Sequence, residues 1–140
     1  MRINLALVGA GAGLLMAAAP AWAHHAFAAE FDAKKPVHLE GTLTKVELIN
    51  PHSWIHVDVK NPDGTTTSWM VEAGSPNVLL RRGFNKNSIQ VRTKVIVDGY
   101  QSKDGSDRAN GRDITLPNGQ KLFLGSTGTG APYEKGAEGK

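Results

Sequence analysis

Two alternating runs joined by Asn61-Pro62-Asp63-Gly64 limit what this chain can fold into more than any other feature. From Trp54 to Lys60, Ile55, Val57 and Val59 fall on one side and Trp54, His56 and Asp58 on the other, the period of two of a strand with one buried face. Pro62 presets φ for a type I turn, and Gly64 can take the left-handed position that closes the bulge after it. The chain therefore returns antiparallel through Thr65 to Ala73. With Asn61 facing Thr65, Val57 meets Trp69, Ile55 meets Val71 and Val59 meets Thr67 on the core face. On the other face His56 meets Met70, Trp54 meets Glu72 and Asp58 meets Ser68. A slip of one residue would put Trp69 among polar neighbours and Met70 in the core, so turn chemistry and hydrophobicity select the same register.

The remaining strand signals arrange themselves around this hairpin. Val37 to Ile49 reads as a first strand whose apolar parity switches, which predicts a β-bulge near Thr44-Lys45 and a strong bend. Ser75 as cap, Pro76 in the first turn and Gly83 at the end predict a short helix over Pro76 to Arg82. Thr93 to Tyr100 and Asp113 to Leu116 supply the fourth and fifth strands, and Pro117-Asn118-Gly119 turns the chain back into Lys121 to Leu124. The reading is all-β: a small five-stranded OB-like Greek-key barrel with one short helix between strands 3 and 4, occupying residues 37–125. A small open β-sandwich is the competing architecture.

The chain opens with a different kind of signal. Arg2, an apolar Gly/Ala/Leu-rich run from Leu5 to Ala19, and small residues at Ala21 and Ala23 predict a cleaved signal peptide over 1–23 and hence a periplasmic protein. Removing 23 of 140 residues leaves 117, enough for one domain, and lowers the net charge of +3 by the one charge of Arg2. That balance argues against a nucleic-acid partner, and no later stretch is long enough for membrane insertion after cleavage. Residues 24–36 read as an extended or weakly helical lead-in, and 126–140 as a flexible tail from which Pro132-Tyr133 can dock. With no cysteine in the chain, a metal must be held by His, Met, carboxylate or backbone groups.

The outward face of the hairpin carries such groups. His52, Trp54 and His56 share a parity on one strand, with Met70 and Glu72 on the other. Directly opposed Cβ atoms sit about 5 Å apart, so His56 and Met70 can reach one ion. Imidazole with thioether suits copper, with zinc as the alternative. Cleavage after Ala23 would leave His24 with a free α-amino group beside its imidazole and next to His25, adding ligands if the lead-in folds across this face. Trp54 and Glu72 are read as binding the ion or a small ligand beside the metal residues His24, His25, His52, His56 and Met70. The plain alternatives are that His52 bonds the turn after Asn50-Pro51, and that Trp54, His56 and Met70 form an ordinary cross-strand patch.

The segments His24-His25-Ala26-Phe27, Glu30-Phe31-Asp32, Asn50-Pro51-His52-Ser53-Trp54 and Asn110-Gly111-Arg112-Asp113 resemble a family of short exported bacterial proteins of unassigned function, marked by an Ala-His-His start and an Asn-Pro-His motif. The resemblance covers nearly the whole mature chain and implies no activity. More loosely, the His/Met/Trp barrel is similar to the periplasmic OB-fold copper chaperones of metal efflux, which bind copper(I) with one His, two Met and a stacked Trp. Here Met70 is the one methionine left once Met1 and Met16 depart with the leader, which shifts the expectation toward a histidine-rich copper(II) or zinc site. An enzyme is not expected. Ser53 and His52 are neighbours on a strand and point to opposite faces, so they are poorly placed as nucleophile and base. A histidine brace of His24 with His52 or His56 remains as an oxidative variant of the metal reading. The rival is a metal-free module gripping a peptide, glycan or periplasmic protein partner through Trp54.

Overall fold

In the computed structural model, which describes residues 26–85 and 87–136, the alternating runs form β2 (Ser53–Lys60) and β3 (Thr66–Ala73). The register is the one turn chemistry selects, with Val57 on Trp69, His56 on Met70 and Trp54 on Glu72. Gly64 sits at φ +88°, and its N–H donates to Asn61 O at 3.0 Å. Ile55, Val57 and Val71 are fully buried. Trp69 shares their face but is only half-buried at the rim of the core, which corrects its expected role as a central core residue. It lies toward the turn end of β3, beyond the stretch Met70–Glu72 that a neighbouring strand covers.

A 17-residue strand, β1 (Phe31–Glu47), begins well before the expected Val37, and the short helix α1 (Ala26–Glu30) occupies part of the expected lead-in. The register of β1 against β2 shifts between Leu43 and Lys45, at the predicted bulge. Gly41 makes the approach of these strands possible: a Cβ there would lie 2.4 Å from Asp58 O and 2.7 Å from Val57 Cγ1. The helix α2 (Pro76–Arg81) follows β3 with Pro76 in its first turn and Leu79 fully buried. Ser75 makes no side-chain cap bond, contrary to expectation, and Gly83 at φ +89° ends the helix.

Three strands complete the sheet: β4 (Lys94–Ser102), β5 (Arg108–Thr115) and the short β6 (Lys121–Phe123). The order is β3-β2-β1-β4-β5-β6, and a parallel pairing of Met70–Glu72 on β3 with Arg108–Asn110 on β5 links the sheet into a ring. The protein is thus all-β, with six strands where five were expected, because Lys121–Phe123 pairs with β5. The main core, including Leu43, Val97, Ile114 and Leu124, fills the inside.

A second apolar cluster joins the two ends of the described chain. Phe27, Phe31 and Ala131 are buried together, with Tyr100 and Tyr133 packed against them. Phe27 N–H donates to Thr129 O at 3.0 Å, and Tyr133 stacks edge-on against Phe123 with centroids 5.2 Å apart. Of the expected flexible tail, the described part is therefore seated, ending in a 3-10 turn at Pro132–Gly136. Its low apolar content is offset by aromatic partners from distant strands.

A candidate site between the hairpin and the chain ends

Cross-strand pairing assembles the site. Glu47, Trp54, Glu72, Asn110 and Tyr100 lie in one row, each the partner of the next across β1, β2, β3, β5 and β4. The adjacent row is Lys45, His56, Met70 and Arg108. Because α1 and the segment 129–133 roof part of these rows, the outward face of the hairpin is not open solvent. Glu72 is only 8% exposed and Asn110 only 7%.

The predicted histidines do not converge on one point. His52 Nδ1 pairs with Glu72 Oε1, while His56 Nε2 pairs with Glu47 Oε2 at 2.7 Å. Four residues of strand separate the two by about 13 Å at the usual rise, and each imidazole turns to its own carboxylate. This corrects the expectation of one His/Trp/Met cluster. Met70 opposes His56 as predicted and is 38% exposed, so those two belong with Glu47 rather than with His52. His52, Trp54 and Glu72 come together instead in a pocket of about 190 Å³, which Ala26, Phe27, Glu30, Arg108 and Asn110 help to line. The expected ligands His24 and His25 lie outside the described residues, as do the expected signal peptide and its expected cleavage site.

The pocket is electrostatically dense. Burial pushes the Glu72 carboxyl above its ordinary value, against the opposing pull of His52 and Arg108. Arg108 lies over the Trp54 ring, 5.4 Å from its centroid, and bonds Glu30 at 3.2 Å. Tyr133 donates its hydroxyl to Asn110 Oδ1 at 3.0 Å, and burial raises its own pKa, so it stays a donor. In the second pair, Lys45 foremost and then His56 hold Glu47 below the usual carboxylate value.

Sequence reasoning missed Glu30, Arg108, Asn110, Tyr133 and Glu47 as members of these two groups. Glu30 and Asn110 did sit in segments that stood out, Glu30-Phe31-Asp32 and Asn110-Gly111-Arg112-Asp113; Glu47 carried no signal. Ser53 is fully buried on the opposite face from His52, and its Oγ has no partner among the described residues. His38 lies away from the site, bonded to Asp98 at 2.6 Å, which raises its pKa. Among the described residues no group of three or more His, Cys, Asp or Glu is gathered for a metal, and no helix is long and apolar enough to cross a membrane.

The sequence matches a family of unknown function, DUF6152, over residues 11–111. The chain belongs to this family. Nothing matches it among curated proteins or solved structures. The match includes Glu30, His52, Trp54, Glu72, Arg108 and Asn110, so most of the pocket is built from the family's own region, whereas Tyr133 lies beyond it.

Proposed function

We propose that this chain is an exported periplasmic protein that binds a copper-type ion, with zinc as the alternative, at the His52 pocket, and that its closed sheet is a Greek-key barrel of the OB type. The fold reading is supported by the ring β1-β2-β3-β5-β4, with its one parallel link and α2 between β3 and β4. On this view β6 is an appendage to the barrel.

The observation that carries the metal reading is the His52–Glu72 pair opening into a pocket lined by Ala26. A carboxylate on one ring nitrogen fixes the imidazole's tautomer and leaves the other nitrogen as a ligand, the usual outer support of a metal-bound histidine. This makes Glu72 a positioning group rather than a first ligand. His25 and His24 directly precede Ala26, and at 3.8 Å per step their Cα atoms stay within about 8 Å of it. A chain starting at His24 would therefore carry an amine and two imidazoles within two residues of Ala26, which lines the same pocket as His52. Size points the same way: 190 Å³ falls below the roughly 300–1,000 Å³ of organic-ligand sites.

A second reading, a metal-free module for a peptide or protein partner, is favoured by Arg108 on the Trp54 face, a seat that a partner's cation can take. Titrating Cu(II) and Zn(II) into the chain 24–140, followed by native mass spectrometry and Trp54 fluorescence, separates the two. The metal reading expects one bound ion, quenching, and loss of both in His52→Ala. An added N-terminal Met should weaken binding, and His56→Ala should leave it. No stoichiometric ion, or quenching that survives His52→Ala, overturns the metal reading.

A further inference from the structure

β1 serves two neighbours in turn, and a gap opens where it leaves the first of them. Its ladder with β2 ends at Thr42–Asp58, while its ladder with β4 runs on past Gly41 to Pro36. Leu43 sends both its backbone groups to the β4 side: its N–H donates to Thr93 O at 2.9 Å, and its carbonyl accepts from Arg92 N–H at 2.7 Å. Backbone direction alternates along an antiparallel strand, so Gly41 and Leu39 also point to β4, and Glu40 and His38 point away from it. On β2, Asn61 N–H donates to Thr65 O at 2.8 Å, so Asn61 and Val59 turn to β3 and Lys60 turns to β1. The rung that would follow Thr42–Asp58 is Glu40–Lys60, and it is not formed. Both residues instead line a groove of about 700 Å³, within the roughly 300–1,000 Å³ of ligand sites.

The charges of this groove are unevenly engaged. Asp58 accepts from Ser68 Oγ at 2.7 Å, and Glu40 pairs with His38 Nε2 at 3.3 Å. Lys60 and Lys94, which also line the groove, form no ion pair among the described residues. Its described lining holds no aromatic ring, so a nucleic-acid base finds no platform to stack on. What it offers is the main chain of one strand edge beside two lysines without a partner. We propose that the groove takes an extended acidic peptide segment, which adds as a short strand at the Glu40 edge and sets an Asp or Glu side chain against Lys60 and Lys94. Backbone bonds supply the attraction and the lysines the preference, the usual division in strand addition. Pro36, which has no N–H, limits the edge to the residues after it. The groove shares no lining residue with the His52 pocket and does not depend on the metal reading.

The test is titration of the chain 24–140 with the end-blocked hexapeptide Thr-Glu-Val-Glu-Val-Thr, followed by amide NMR and carried to about 5 mM so that millimolar binding registers. The Glu40 and Lys60 amides should shift, and exchange of the Glu40 amide hydrogen should slow. A peptide with lysines in place of its glutamates should bind at least about fivefold more weakly, and so should the double variant Lys60→Ala plus Lys94→Ala, the loss expected of two exposed ion pairs. Methylating the peptide's backbone nitrogens should abolish binding. Glu40→Pro removes the N–H that faces the groove and leaves the β1–β4 ladder intact, a place where an edge strand tolerates proline. It should weaken binding at least about tenfold, whereas Glu40→Ala, which keeps the N–H, should retain it. Circular dichroism melts show whether each variant folds, and if Glu40→Pro does not, the methylated peptide decides. No amide shift at the highest concentration, or shifts that survive backbone methylation, would overturn strand addition. Equal binding by the double lysine variant overturns the acidic preference. Trigalacturonate binding at the same amides more tightly than the peptide would mean that the groove reads an acidic saccharide, and the peptide is then overturned.

Discussion

Replacing Tyr133 by alanine should destabilise this protein by about 3 kcal/mol, although the residue lies in a segment whose composition suggests a loose tail. Truncating a fully buried aromatic costs about 3–5 kcal/mol. Tyr133 is half-buried, against Phe123 and over the bare backbone of Gly125, so about half of that, roughly 2 kcal/mol, applies to the ring. The lost hydroxyl bond to buried Asn110 adds about 1 kcal/mol. Tyr133→Phe keeps the ring and should cost only about 1 kcal/mol. For a chain of this length, about 3 kcal/mol corresponds to a fall in Tm of roughly 10 °C. Urea unfolding followed by tryptophan fluorescence, with a thermal melt by circular dichroism, measures both variants. A free tail would leave each within about 0.5 kcal/mol of the native chain, the scatter of ordinary surface substitutions. That result would refute the seating of residues 126–136 and the buried amide with it.

Leu43, fully buried beside the bulge, should lose about 3–4 kcal/mol on change to alanine, and half-buried Trp69 about 2 kcal/mol; a larger loss at Trp69 in urea titrations would return it to the centre of the core. Ser53→Ala removes a buried hydroxyl without a partner among the described residues, so stability should stay equal or rise by up to about 1 kcal/mol. A clear loss in the same assay would mean that the hydroxyl is bonded in solution. Hydrogen bonds from Ser102 and Ser106 hold the Asp104 carboxyl down at about 2, against an ordinary 3.8. Its stabilisation is thus present above pH 3.8 and is lost as pH falls through 2, so Asp104→Asn should flatten the acid limb of stability in that window. An unchanged limb in urea midpoints taken between pH 4 and pH 2 contradicts this.

Local rules carried much of the fold. The turn at Pro62-Asp63-Gly64 set a register that holds at every pair of the hairpin, and the parity switch in β1 marked its bulge. These features were legible because each depends on residues within one turn or one strand pair, where backbone geometry and alternation act directly. The early start of β1 at Phe31 was not legible, since Asp32 to Lys35 carries no alternation and forms an irregular stretch between the β4 pairs Phe31–Ser102 and Pro36–Tyr100. Nor was the division of the histidines: parity puts His52 and His56 on one face, but only the neighbouring strands supply Glu72 to the first and Glu47 to the second. The sequence by itself determined which residues face outward on the hairpin and therefore which could form a site. Tertiary structure alone decided that Glu72 and Asn110 would be buried there, because their cover comes from α1 and Thr129 to Tyr133, at the two far ends of the described chain. Contacts between such distant segments depend on chain closure and on shape, and neither leaves a periodic trace in the residues that make them.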